Sequence, residues 1–116
     1  MIIPQTEWLQ PQEYPDLRQY EEIAIDLETK DPDLKKLGTG SIVGNGEVVG
    51  IAVAVEGYRG YFPIAHGEGP NMDRHKTLEW FKDICESPAT KIFHNAMYDV
   101  CWIRSLGINI NGLIID

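Results

Sequence analysis

The chain has 116 residues, of which 43% are hydrophobic and 24% charged, a balance that is typical of one soluble globular domain and excludes a disordered or fibrous chain. Its net charge of −8 gives no sign of the basic face that most nucleic-acid-binding proteins present to phosphate, so charge alone argues against autonomous DNA binding. No apolar run approaches the roughly 20 residues of a membrane-spanning helix, and the N-terminus lacks the pattern of a secretory signal.

The N-terminal segment, residues 1–21, contains three prolines separated by polar residues and predicts an extended lead-in that wraps the domain. The domain itself is expected to cover residues 22–116. It begins with a strand at Glu22–Leu27, where β-branched and polar residues alternate. Residues 29–46 are polar and rich in glycine, which indicates a loop that ends in a turn.

A β-hairpin is predicted next, with strands at Val48–Val55 and Tyr58–Ile64. The first strand is apolar almost throughout, which predicts that both faces of the sheet are covered there. The remaining predicted elements are a helix at Asp73–Glu86, a strand at Lys91–Phe93, a helix at Ala96–Leu106 closed by Gly107, and a strand that begins at Gly112. A hairpin followed by alternating helices and strands predicts an α/β fold with a mixed β-sheet and flanking helices.

The cysteines and histidines predict neither a disulfide framework nor a zinc site. Cys85 and Cys101 lie in helical segments and are expected to be reduced thiols of a cytoplasmic protein. His66 and His75 have no metal-ligand spacing to a cysteine or another histidine. His94 is the histidine best placed to reach a site at the start of the second helix, although a structural role is the favoured interpretation.

Two carboxylates lie on one face of the first predicted strand. Because side chains alternate along a strand, Asp26 and Glu28 share a face with Ala24, while the isoleucines and the leucine between them face the other way. Adjacent carboxylates repel unless cations bind between them, and oxygen ligands of this kind suit Mg²⁺ or Mn²⁺. Taken alone, the pair is more typical of a strand that runs out into solvent with two acidic residues on its exposed side.

A third carboxylate opens the second predicted helix. Asn95 and Asp99 are four residues apart and therefore share a helix face. An N-cap and an ordinary first-turn charge would explain them without any function. If the first and fourth strands are neighbours, however, Asp99 lies over Asp26 and Glu28, and three converging carboxylates are the apparatus of two-metal phosphoryl transfer.

These segments also carry a resemblance to a known family. Ala24–Thr29 resembles the first motif of the DEDD exonuclease superfamily, and Phe93–Asp99 resembles the second. Between them, Val49–Ala54 and Tyr61–His66 are similar to the hairpin in the proofreading 3′→5′ exonuclease domain of family A DNA polymerases. The resemblance extends from about residue 22 to the end and implies a ribonuclease H-like fold, truncated before its last helices. The compact lead-in indicates a phage polymerase, and hence the host cytoplasm.

The resemblance implies a role for each matching residue in hydrolysing the 3′ end of single-stranded DNA to nucleoside monophosphates. The site would hold two divalent cations, either Mg²⁺ or Mn²⁺. Asp26 would bind both ions, Glu28 would bind the ion that activates water, and Asp99 would bind the second ion. The positions that would hold the 3′-terminal nucleotides are Thr29, Asn95 and Tyr98. For Tyr98, packing as an ordinary helix aromatic is an equal alternative.

The family also has a third motif, a tyrosine followed four residues later by an aspartate, and residues 100–116 contain no tyrosine. Asp116 is not taken as the missing ligand. We therefore expect a fragment with an incomplete catalytic set and at most residual activity. Its expected partners are the downstream polymerase portion or a separately encoded remainder, and it could self-associate through an exposed truncated edge. The alternatives are an RNA-directed exonuclease of the same superfamily and a non-catalytic fragment that assembles with the rest of a polymerase.

Overall fold

The computed structural model describes residues 11, 13–31, 40, 46–67 and 69–116. These residues form the strands and helices β1 Glu22–Lys30, β2 Glu47–Val55, β3 Tyr58–Pro63, α1 Arg74–Glu86, β4 Thr90–Phe93, α2 Ala96–Ser105 and β5 Ile114–Ile115. Every element predicted in this part of the chain is confirmed, and β1 continues to Lys30 instead of ending at Leu27. The first ten residues and most of the loop predicted at 29–46 lie outside the described residues. Neither of these two helices is long and apolar enough to cross a membrane.

The five strands form one mixed sheet in the order β3-β2-β1-β4-β5. β2 is antiparallel to both β1 and β3, whereas β4 is parallel to β1 and β5 is parallel to β4. The first and fourth strands are therefore neighbours, which meets the condition for Asp99 to lie near Asp26, and the predicted α/β architecture is confirmed. The parallel register ends where Ile25 lies opposite Phe93. The pairing between β1 and β4 therefore ends just before Asp26 in one strand and just before His94 in the other. α2 begins shortly after this point.

The core lies against one face of the sheet, as the alternation in β1 predicts. Ile23, Ile25 and Leu27 are buried there, and the buried residues of α1, Phe81 and Ile84, belong to the same apolar cluster. Burying a side chain of this size contributes about 1.5–3 kcal/mol, so this face accounts for much of the stability of the fold.

The opposite face is more open than the apolar sequence of β2 predicts. Residues 48–51 are buried, but Ala52 and Ala54 are only half-buried. Together with Ala24 and Asp26 they line a surface groove of about 350 Å³. The prediction that β2 is covered on both faces is therefore wrong for its second half. Ala52 and Ala54 line this groove, so their side chains stay partly exposed.

The described part of the lead-in packs against α1. The Tyr14 hydroxyl lies 2.7 Å from Thr77 Oγ1, and Trp80 Nε1 donates a 2.7 Å hydrogen bond to the Pro15 carbonyl. Leu17 is 2% exposed and joins the core. Trp80 thus anchors the lead-in to α1.

The end of α2 confirms the glycine signal in the sequence. Gly107 has φ +79°, a conformation that side chains with a Cβ rarely adopt. Its N–H donates to the Arg104 carbonyl at 2.9 Å, and the Ile108 N–H reaches the Ile103 carbonyl. Both bonds satisfy carbonyls that the helix end leaves unpaired.

β4 carries a lysine with no exposed surface. Lys91 Nζ donates hydrogen bonds to the carbonyls of Ser87, at the end of α1, and Asn111, shortly before β5. Burial lowers the pKa of this ammonium group. Lys91 therefore joins the end of α1 to the segment that leads into β5. Cys85, close by, is buried, and both it and Cys101 are free thiols as predicted.

Candidate active site

Asp99 is a buried carboxylate at the first turn of α2. Only 3% of its surface is exposed, and it accepts a hydrogen bond from the backbone N–H of Leu27 in β1. Its Oδ2 atom is buried and has no hydrogen-bond partner among the described residues. A carboxylate oxygen buried without a donor is costly in a folded protein, so it requires a physical explanation.

The electrostatic surroundings of Asp99 oppose its ionisation. Burial is the main cause that raises its pKa, from 3.8 to about 6, and the negative charge of Asp26 is the second. The hydrogen bond from Leu27 and the proximity of His94 act in the opposite direction. Asp26 and Asp99 are therefore close enough to repel each other, as expected for two carboxylates that share a site.

Asp26 and Glu28 are both exposed on the open face of β1, as the strand alternation predicts. Glu28 Oε2 accepts a 2.8 Å hydrogen bond from the Tyr61 hydroxyl, which also bonds His66 Nε2. His66 Nε2 lies 3.8 Å from the same carboxylate oxygen. Burial and the neighbouring Glu28 carboxylate raise the pKa of Tyr61. Glu28 therefore belongs to a polar cluster with two side chains of the β3 region.

The convergence of three carboxylates that the sequence predicts is partial. Asp99 faces Asp26, whereas Glu28 is engaged by Tyr61. Within the described ranges, no group of three or more His, Cys, Asp or Glu side chains is arranged to hold a metal ion. The chemistry of the donors nevertheless fits a divalent cation. They are carboxylate oxygens, two of the groups repel each other, and the Oδ2 atom of Asp99 lacks a partner.

Two of the residues assigned to nucleotide binding are joined to each other. Thr29 Oγ1 and the Tyr98 hydroxyl are 2.7 Å apart, and Tyr98 donates a 2.9 Å hydrogen bond to Asp31 Oδ2. The Tyr98 ring packs edge-on against Trp102. Both hydroxyls are thus used within the protein, which supports the packing interpretation of Tyr98. Sequence reasoning did not find Asp31, because the strand was expected to end before it.

The Asn95 side chain is exposed and does not belong to the hydrogen-bonded pair that Thr29 and Tyr98 form. It occupies the N-cap position of α2, but its side chain makes no capping hydrogen bond. The Ala96 N–H donates instead to Asp116 Oδ1 at 3.1 Å. The simple interpretation of Asn95 as a capping side chain is therefore wrong. Asp116, which follows β5, supplies an acceptor because β5 lies beside β4 in the sheet.

Tyr61 and His66 are the site residues that sequence reasoning missed. The spacing of His66 excludes a zinc site and predicts no other role for it. A usable signal was present, since both residues lie in the segment whose sequence resembles the exonuclease hairpin. Their proximity to Glu28 depends on the pairing of β1, β2 and β3, which the sequence pattern does not specify.

Comparison with known proteins gives one partial relationship. No family model matches the chain. Over 62 residues, or 52% of its length, the chain is 44% identical to a DNA-directed DNA polymerase from Pseudomonas phage M6. The match covers 9% of that polymerase, so the chain spans only a small part of this relative. This partial homology supports a relationship between the chain and part of a phage DNA polymerase.

Proposed function

We propose that this chain is part of the metal-dependent 3′→5′ proofreading exonuclease domain of a phage family A DNA polymerase, with a ribonuclease H-like fold. The mixed sheet, the partial homology to a phage DNA polymerase and the motifs around Asp26 and Asp99 all support this proposal. Because the relative is a DNA polymerase, we favour DNA over RNA as the substrate.

The observation that carries the proposal is the state of Asp99. A buried carboxylate with a raised pKa, an unpartnered oxygen and a second carboxylate beside it is unfavourable for folding. Groups with perturbed pKa values of this kind concentrate at functional sites. A divalent cation bound by Asp26 and Asp99 would offset the repulsion between the two carboxylates. It would also give the Oδ2 atom of Asp99 the partner that it lacks.

Asp26, Glu28 and Asp99 are the residues that would hold Mg²⁺ or Mn²⁺. When bound, such cations supply an activated water and neutralise charge on the scissile phosphodiester. Thr29, Asn95 and Tyr98 are proposed to contact the 3′-terminal nucleotides of a single strand. With a net charge of −8, the chain itself offers little attraction for phosphate, so we expect the cations and the rest of a polymerase to supply the positive potential.

This proposal predicts metal-dependent release of nucleotides from a 3′-labelled single strand. The protein is used in excess over DNA, with Mn²⁺ as the cation. Labelled mononucleotide should form slowly from single strands in preference to duplex. It should not form with EDTA or with Asp26→Ala. Internal cleavage, metal-independent cleavage, or release by Asp26→Ala at the rate of the unchanged chain would contradict the proposal.

A second candidate function is assembly with another polypeptide, and an exposed apolar edge of the sheet favours it. Leu113 is 64% exposed and Ile115 is 42% exposed, at the β5 edge. Unpaired strand edges with apolar side chains tend to pair with further strands.

We therefore predict self-association that increases with protein concentration in sedimentation velocity, and we expect Ile115→Lys to abolish it. A chain that stays monomeric at all concentrations would contradict this prediction. Ile51→Val, a conservative change within the core, serves as the control.

A further inference from the structure

Tyr61 reaches Glu28 by lying across a glycine. In the sheet, Asp26 is opposite Ala52, and Ala52 is opposite Tyr61. The backbone of Tyr61 is therefore level with Asp26. Its side chain leans along the strand instead and passes over Gly50, the residue opposite Glu28. A Cβ atom at Gly50 would overlap the Tyr61 hydroxyl, so the absence of a side chain at this position is what opens the path.

The contacts of the Tyr61 hydroxyl determine the direction of each hydrogen bond. The hydroxyl has one hydrogen, which it donates to Glu28 Oε2 at 2.8 Å. Its contact with His66 Nε2 must then use a lone pair of the tyrosine oxygen. His66 consequently donates from Nε2, and the order of donation runs from His66 through Tyr61 to Glu28.

The loop that follows β3 holds His66 in place. The His66 N–H donates to Asn71 Oδ1 at 2.8 Å, and Asn71 Nδ2 donates to the His66 carbonyl at 3.0 Å. The Met72 N–H donates to the Pro63 carbonyl at 2.8 Å, which closes the loop on the end of the strand. These bonds fix the backbone of His66 next to the end of β3, within reach of Tyr61.

We propose that Tyr61, supported by His66, is a positioning residue that orients the Glu28 carboxylate for a divalent cation. This inference rests on the proposed function, in which Glu28 is a metal ligand. The hydroxyl holds Oε2, and Oε1 has no hydrogen bond to any of the residues that the structure describes. Side chains that orient a metal-binding carboxylate in this way are worth roughly 10–100-fold in metal affinity. Tyr61 itself does not touch the cation or the substrate.

The test is Mn²⁺ binding to the 116-residue chain, measured by calorimetry and by the electron paramagnetic resonance of free Mn²⁺. Tyr61→Phe removes only the hydroxyl and is expected to weaken binding about tenfold. Gly50→Ala should weaken it to a similar extent, because the new methyl group displaces the Tyr61 side chain. Tyr58→Phe removes a hydroxyl from the same strand outside this network and is expected to bind like the unchanged chain.

The histidine is tested separately by rescue. His66→Ala should weaken Mn²⁺ binding, and His66→Gln should restore part of it, because the amide can still donate to the tyrosine oxygen. Circular dichroism of each variant checks that the fold is retained. Unchanged or tighter Mn²⁺ binding by a folded Tyr61→Phe variant would overturn this inference while leaving the metal site in place. No Mn²⁺ binding by the unchanged chain at millimolar concentration would overturn the proposed function, and this inference with it.

Discussion

Removing the carboxylates of Asp26 and Glu28, in the double variant Asp26→Ala and Glu28→Ala, is expected to weaken Mn²⁺ binding by more than about 100-fold. A residue that only orients a metal ligand is worth roughly 10–100-fold, so the loss of two ligands should exceed that range. Asp99 would remain as the single proposed ligand, and one buried carboxylate does not provide the several oxygen donors that Mg²⁺ and Mn²⁺ require. Calorimetric titration of the unchanged chain and of the double variant measures the difference.

The control for this prediction removes the same charge from the other end of the strand. Glu21 and Glu22 are exposed residues at the start of β1, and replacing both with alanine also changes the net charge by two units. This control should retain the Mn²⁺ affinity of the unchanged chain, because exposed charges at a distance are screened by salt. Equal affinity in the Asp26→Ala and Glu28→Ala variant would refute the metal site. Equal loss in the control would show that net charge, and no particular site, attracts the ion.

Replacing Asp99 with asparagine is expected to stabilise the metal-free chain at neutral pH. The pKa of Asp99 rises from 3.8 to about 6 on folding, so the folded state binds its proton more tightly than the unfolded state does. Stability is consequently lost as the pH rises between these two values, and the loss is complete above about pH 6. Asparagine has no charge to bury, and its Oδ1 atom can still accept the hydrogen bond from Leu27. We expect a gain of about 1–3 kcal/mol in the free energy of unfolding at pH 7.

The pH dependence distinguishes this cause from a change in packing. At pH 4, Asp99 is protonated in the folded state and about half protonated in the unfolded state, so most of the stability difference between Asp99→Asn and the unchanged chain should disappear. The charged groups that face Asp99 are Asp26, His94 and Asp116, and they are present in both proteins. Urea denaturation at pH 4 and pH 7 in EDTA provides the measurement. An asparagine variant that is less stable at pH 7 would contradict the burial of an unfavourable charge.

Divalent metal should reverse the order of stability at pH 7. A ligand that binds only the folded state stabilises it in proportion to the logarithm of its concentration. Mn²⁺ is therefore expected to raise the unfolding midpoint of the unchanged chain much more than that of Asp99→Asn. The carboxylate that weakens the metal-free fold would thus be retained for binding, which is a common conflict between stability and function.

Much of the local structure was determined by the sequence alone. The alternation of Ile23, Ile25 and Leu27 with polar residues placed β1 and its two faces correctly, and Gly107 marked the end of α2. These features depend on neighbouring residues only, since side-chain period and backbone φ are local properties. The pairing of β1 with β4 was open at the level of the sequence, which indicated only that these strands could be neighbours, and the tertiary structure decided it.

The arrangement within the site was decided by the tertiary structure. Glu28 bonds Tyr61 because the register of three strands brings a tyrosine beside a glycine, and no periodicity in the sequence encodes that register. Asp99 shows in sequence as an ordinary first-turn acid, yet the packing of α2 against β1 buries it and leaves one oxygen without a donor. Sequence pattern identifies which residues share a face, whereas hydrogen bonds and pKa values depend on distances between residues far apart in the chain.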